Sequence, residues 1–253
     1  MANSPVDIEG IYLKYTKELN EKNVTERYKG NEHWYHASGA GGCSRKLYYQ
    51  SVEQLEPSNP IEDKSMRLLR LGTLLHDDFE KALHMYNTNV YTYLSTKEKE
   101  INKEKEIVFH TEGEVTIDEL NVRGFYDIVT EGEEVYLYDL KTCNSYSWSY
   151  KFGNNKKFNT STQYEMQLGT YGLAVEKKFG RLDGMYLYYY NKNTSDMNPL
   201  LVPLTYTSRA YMFWQRINEE HKQGLPEFQV GISPAQKWEC KYCQYRDHCN
   251  PPK

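Results

Sequence analysis

Apolar residues recur three and four positions apart over 6–27, where Ile8, Ile11, Tyr12, Tyr15 and Leu19 share one predicted helical face. A small, glycine-rich stretch at 37–42 reads as a turn, and Arg45 to Gln50 opens a further helix. Pro57 and Pro60 mark a loop. The stretch 64–85 again has helical spacing, through Met66, Leu69, Leu71, Leu75, Phe79 and Leu83. The run 97–106 alternates acidic and basic residues, as a solvated surface element does. Beyond it the period changes to two: 121–129 and 135–142 read as strands, joined by the hairpin loop 130–134. A polar loop is expected at 144–159. A helix follows over 161–179, capped by Thr160 or Ser161 and closed by Gly180. The stretch 184–191 is a strand, 200–205 a weaker one, and 206–223 a helix stopped by Gly224. This order predicts an α/β fold, a central mixed sheet flanked by helices, as one domain over 1–253.

Composition adds modest bounds. Hydrophobic residues make up 39% and charged residues 26%, enough for a sizeable core. No apolar run approaches the roughly 18 to 20 residues that cross a bilayer. The first nine residues lack the basic and apolar regions of a secretory signal, so a soluble protein of a reducing cytoplasm, with no membrane partner, is expected. A net charge of −4 argues against coating nucleic acid by bulk charge. It is compatible with an acidic metal cleft inside a local basic rim. The 24 tyrosines suit either base stacking or half-buried strand positions.

The strand at 135–142 carries the chemistry. Side chains alternate faces along a strand, so Val135, Leu137, Asp139 and Lys141 share one face. The hairpin can bring Asp127 beside Asp139. Two close carboxylates repel, and a shared hard cation such as magnesium or manganese is the usual reason to tolerate them. Lys141 would orient a water and stabilise developing charge. Inside the 64–85 helix, Gly72 costs about 1 kcal/mol relative to alanine and asks for a packing or site reason. His76, one turn on, offers an imidazole ligand, with Glu80 in reserve on the same face. Gln167 and Tyr171 share a face of the 161–179 helix and suit contacts to a phosphate or to the lysine.

In order, Gly72 to His76, Gly124 to Asp127, Asp139 to Thr142 and Gln167 to Tyr171 resemble the motifs of the RecB-like branch of the PD-(D/E)XK nucleases. The resemblance implies a restriction-endonuclease-like core acting on DNA. It places His76, Asp127, Asp139 and Leu140 at metal-binding positions, Lys141 at the catalytic one, and Gln167 and Tyr171 in support. One departure is Tyr126, which stands where the superfamily's name has proline.

Five cysteines remain. Cys240, Cys243 and Cys249 lie within ten residues of one another, which favours a metal over disulfides in a cytoplasmic protein. The tail is too poor in apolar residues to fold unaided. Cys43, after the glycine-rich turn, is the best fourth ligand. One remote cysteine with three in a tail resembles the four-cysteine iron–sulfur nucleases of the same branch, the AddB nuclease-domain and CRISPR-associated adaptation-exonuclease types. It implies a 4Fe–4S cluster on Cys43 and the 225–253 segment, stapling a helical lid; zinc, with His248 as a substitute ligand, is the alternative. Cys143 is left over as a buried thiol.

The expected function is a metal-dependent exonuclease on single-stranded DNA or DNA ends, with a homo-oligomer or a recombination or adaptation protein as the candidate partner. A restriction-like endonuclease and a non-catalytic iron–sulfur DNA-binding protein are the alternatives. Lys151, Lys156 and Lys157 could touch phosphates, and Trp148 could stack on a base or pack over the sheet edge.

Overall fold

The structure, a computed structural model, describes residues 7–28, 33–59, 61–87, 107–153 and 162–249. The 97–106 run, the 160–161 cap, Pro60, Lys156 and Lys157 lie outside them. The helices are α1 (Ile8–Tyr28), α2 (Ser44–Leu47), α3 (Asp63–Asn87), α4 (Ser145–Phe152), α5 (Thr162–Phe179), α6 (Thr205–Lys222) and α7 (Arg246–Cys249). The strands are β1 (Tyr35–His36), β2 (Val108–Ile117), β3 (Val122–Glu131), β4 (Val135–Cys143), β5 (Gly184–Asn191) and β6 (Met197–Val202). None of the helices among the described residues is long and apolar enough to cross a membrane.

β3 organises the sheet. One of its edges pairs with antiparallel β2, from Val122 to Glu131. Its other edge is shared: β1 lies parallel at Val122 and Arg123, and β4 antiparallel from Ile128 to Glu131. From Gly124 to Asp127 neither register continues, so β3 and β4 splay apart there. β4 runs parallel to β5 through α5, and β6 closes the far edge antiparallel. The sheet is thus mixed and helix-flanked, as expected.

The alternation of β4 explains its seating. Val135, Leu137 and Cys143 are buried in the core with Leu168, Tyr171 and Val175 of α5, while Tyr136 and Tyr138 on the opposite face stay half-buried beside Tyr186. α6 packs its Ala210, Trp214 and Ile217 into the same core, where the Trp214 indole N–H donates to Thr170 Oγ1 at 2.9 Å.

Four expectations need correction. The strand β2 falls in a stretch to which no element was assigned. The supposed loop at 144–159 begins as α4, because Asn144 Oδ1 caps it by accepting from Ser147 N at 2.8 Å. The weak strand lies at Met197–Val202 rather than 200–205. On α1 the expected apolar face is the exposed one: Ile8, Ile11, Tyr12 and Tyr15 face solvent, and Thr16 is buried instead.

Candidate active site

The split between β3 and β4 leaves the peptide groups of Leu140 without a strand partner on that side, and a buried peptide group must find one. Two side chains supply it. Asp127 Oδ2 accepts from the Leu140 N–H at 2.6 Å, and His76 Nε2–H donates to the Leu140 carbonyl at 3.1 Å. His76 Nδ1 lies 3.5 Å from Asp127 Oδ1, closing a ring of contacts. His76 reaches the split from α3, which packs against β2 and β4.

Beside this ring, Asp139 is 1% exposed and ion-paired with Lys141. Neither carboxylate oxygen receives a well-aligned hydrogen bond, an arrangement that leaves lone pairs free for a cation. Burial pushes the Asp139 carboxyl above the ordinary carboxylate range, aided by the negative charge of Asp127 and opposed by Lys141. Burial also opposes the charge on Lys141, but Asp139 and Asp127 outweigh it and lift the ammonium above its usual value. In the same way, Asp127 overcomes the burial of His76 and raises it. Lys141 Nζ stands 4.9 Å from the centre of the Tyr164 ring on α5.

His76, Asp127 and Glu112 also bring one donor atom each within 4.8 Å of one another. Glu112 did not emerge from the sequence. It sits on β2 across from Asp127, where the β2–β3 ladder skips one pair, with φ at +47°. A signal existed, since Val115 and Ile117 alternate as a strand should. Glu80 stays outside the group, accepting from Thr111 Oγ1 at 3.5 Å.

The supporting motif residues fall nearby but inside. Tyr171 is 4% exposed and its hydroxyl accepts from Gln167 Nε2 at 2.9 Å. Its ring packs on Gly124, where an added Cβ would come within 3.0 Å of Tyr171 and 2.9 Å of Ala37. Gly124 is thus a glycine because α5 comes down on β3 there. Gly72 has no such need, since a Cβ there would meet Thr142 Oγ1 at 3.8 Å, an ordinary contact. Trp148 packs on Phe152 at 4.5 Å against the core rather than facing solvent.

Cys43, Cys240, Cys243 and Cys249 line a single cavity of about 280 Å³, bringing the two ends of the chain together. Arg45 Nε donates to Cys249 Sγ at 3.2 Å and the Tyr245 N–H to Cys243 Sγ at 3.4 Å. Burial pushes the thiols of Cys43, Cys240 and Cys243 up. No three of the four sulfurs lie within 4.8 Å of one another. His248 is engaged elsewhere, its Nε2–H donating to the Glu56 carbonyl at 2.9 Å. Cys143 is buried at the end of β4.

A mixed sheet that opens beside a buried carboxylate–lysine pair defines a core of the restriction-endonuclease type. The chain belongs to the PD-(D/E)XK nuclease superfamily, whose family model matches residues 87–250. That span contains Asp127, Asp139, Lys141 and the three tail cysteines; His76 and Cys43 precede it. Among solved structures, SSO0001 is similar over 97% of this chain and 98% of its own, with a TM-score of 0.51 at 18% identity. A candidate exonuclease from Eubacterium rectale is similar over 90% of this chain and 94% of its own, with a TM-score of 0.50 at 17% identity. Both likenesses concern the fold. No curated protein matches the sequence.

Proposed function

We propose that this chain is a divalent-metal-dependent exonuclease acting on single-stranded DNA or DNA ends, built as one domain with a 4Fe–4S cluster joining its two ends. The observation that carries the catalytic reading is the grip of His76 and Asp127 on the Leu140 peptide, with the buried Asp139–Lys141 pair alongside. His76, Asp127, Asp139 and the Leu140 carbonyl would hold magnesium or manganese, for which an oxygen-rich set with one imidazole is suitable. When bound, such an ion lowers the pKa of a water and offsets phosphate charge. Lys141, already charged and fixed by Asp139, is placed to orient the attacking water and to stabilise charge gathering on the phosphate. Gln167 donates to the Tyr171 hydroxyl, and the Tyr171 ring packs α5 on β3 at Gly124, three residues before Asp127.

The cluster reading rests on the cysteine cavity. Zinc bound at about 2.3 Å by four thiolates would draw the sulfurs to roughly 4 Å from one another. Sulfurs spaced more widely around one cavity, two of them receiving N–H donors, suit a polynuclear iron–sulfur centre better. The test is digestion of end-labelled linear and circular single strands by protein purified without oxygen, with manganese added. Loss of the linear strand alone supports an exonuclease; cutting of the circle favours the restriction-like endonuclease.

A further inference from the structure

A second opening of about 650 Å³ lies beside the catalytic lysine, with Thr142, the residue after Lys141, in its wall. Tyr146 and Tyr150 of α4, Tyr164 of α5 and Trp238 from the cysteine segment supply its aromatic surface. Lys151 and Lys192 supply its charge. Among the described residues the lining contains no carboxylate, although Glu165 acts electrostatically on Lys151, in a chain with 35 acidic residues and a net charge of −4. Two of the aromatics are more open than folding alone explains: Tyr146 is 71% exposed and Trp238 is 53% exposed. Tyr146 packs edge-on to Tyr150 at 4.9 Å, which holds its ring upright at the cleft.

An opening lined by two lysines and no carboxylate favours an anion, and flat aromatic faces favour a planar ring. The two together describe a nucleotide. The volume falls within the usual range for an enclosed small ligand. We infer that this cleft holds one nucleotide of a single strand next to the scissile bond, its base stacked on Tyr146 and Trp238 and its phosphate near Lys192 and Lys151. A base inside a duplex is already stacked and paired and would have to be flipped out to enter. The cleft therefore selects single strands. The inference rests on the nuclease reading only for locating the scissile bond. Trp238 stands two residues before Cys240, so the cysteine segment also builds a wall of the strand path.

Binding is tested on the whole chain with EDTA present, so that hydrolysis plays no part. The probes are a fluorescently labelled dT12 strand and a strand of equal length made of abasic residues. The parent should prefer dT12 by about five-fold or more, the range of one stacked base. Tyr146→Ala should remove most of that preference, Tyr146→Phe should keep it, and Trp238→Ala should act like the alanine variant at Tyr146. Lys192→Gln should weaken both strands alike and lower the salt slope by about one. Equal binding of dT12 and the abasic strand by the parent overturns the inference. So does an unchanged preference in both Tyr146→Ala and Trp238→Ala. Cleavage without base preference would sink this site and leave the nuclease standing; base-dependent binding without cleavage under manganese would do the reverse.

Discussion

The molecule has two polar centres built in opposite ways. The split between β3 and β4 is assembled from strands already fixed by the core, and its charges are partnered by protein groups: Asp139 by Lys141, Asp127 by His76 and the Leu140 N–H. The cysteine cavity joins residue 43 to residues 240–249 across a loop of about 200 residues, whose closure is entropically costly. Burial pushes the thiols of Cys43, Cys240 and Cys243 up, and for Cys240 the other cysteines add to the shift. The first centre can hold its shape without a ligand. The second gathers groups that disfavour one another unless a positive centre lies between them. Stability in the one comes from the fold; in the other, on the proposed cluster reading, it would come largely from the bound group.

The sharpest test of the first centre is Lys141→Ala. Removing the ammonium should lower cleavage by at least ~10²–10³-fold. The fold should persist, because strand order and the Asp127–Leu140 contact do not need it. Circular dichroism checks that half of the expectation. Unchanged cleavage removes Lys141 from the mechanism.

Cys240→Ser probes the second centre, and here structure and binding should fail together. We expect loss of visible absorption, poorer solubility and weaker DNA binding, with a melting midpoint lower by several degrees. A variant that stays soluble and binds DNA as the parent does would show that no staple holds the two ends. The contrast between the variants is the point: one loses chemistry with its fold intact, the other loses a lobe.

A smaller effect is expected at Glu112. Glu112→Gln should weaken manganese binding by roughly ten-fold in calorimetry, and Asp127→Asn by more, since Asp127 also holds the Leu140 peptide. Equal affinity in Glu112→Gln and the parent would leave Glu112 a bystander at the ladder break.

The two centres also differed in how far the sequence exposed them. Asp139 and Lys141 were legible because a strand repeats every two residues, so their common face follows from spacing alone. The grouping of the cysteines was legible as a spacing pattern. Glu112 was not, for it enters the site by an interruption of the β2–β3 ladder and a left-handed backbone angle, which no periodicity announces. Nor was the cleft beside Lys141, because α4 begins on a single capping asparagine within a run of serines and tyrosines. α1 misled for a different reason. Ile8, Ile11, Tyr12 and Tyr15 are spaced for burial, but α1 presents Thr16 inward and leaves them in solvent.

The smallest expected effect links the regions through two histidines whose environments act in opposite directions. His76 in the split is lifted by Asp127 above its ordinary value, against the opposing effect of burial. His221 on α6 holds the turn beside Cys43: its Nδ1 accepts from the Tyr35 hydroxyl at 2.7 Å, and its Nε2–H donates to the Ser44 carbonyl at 3.1 Å. Those roles belong to the neutral ring, and burial lowers its pKa, although Glu220 nearby pulls the other way and Arg216 adds to the lowering. Between the lowered value and the ordinary 6.5, the unfolded chain therefore binds more protons at His221 than the folded one. Its contribution is complete above 6.5 and declines as the pH falls through the lowered value, by at most ~1.4 kcal/mol per pH unit. His76 contributes with the reverse slope, its share being lost as the pH rises through its raised value. Subtracting the two curves isolates the clamp: denaturant midpoints of the parent and of His221→Gln, taken in EDTA across pH 5 to 8, should converge towards the acid end. Parallel midpoints across that range would mean that His221 is not held neutral and does not clamp the cysteine turn.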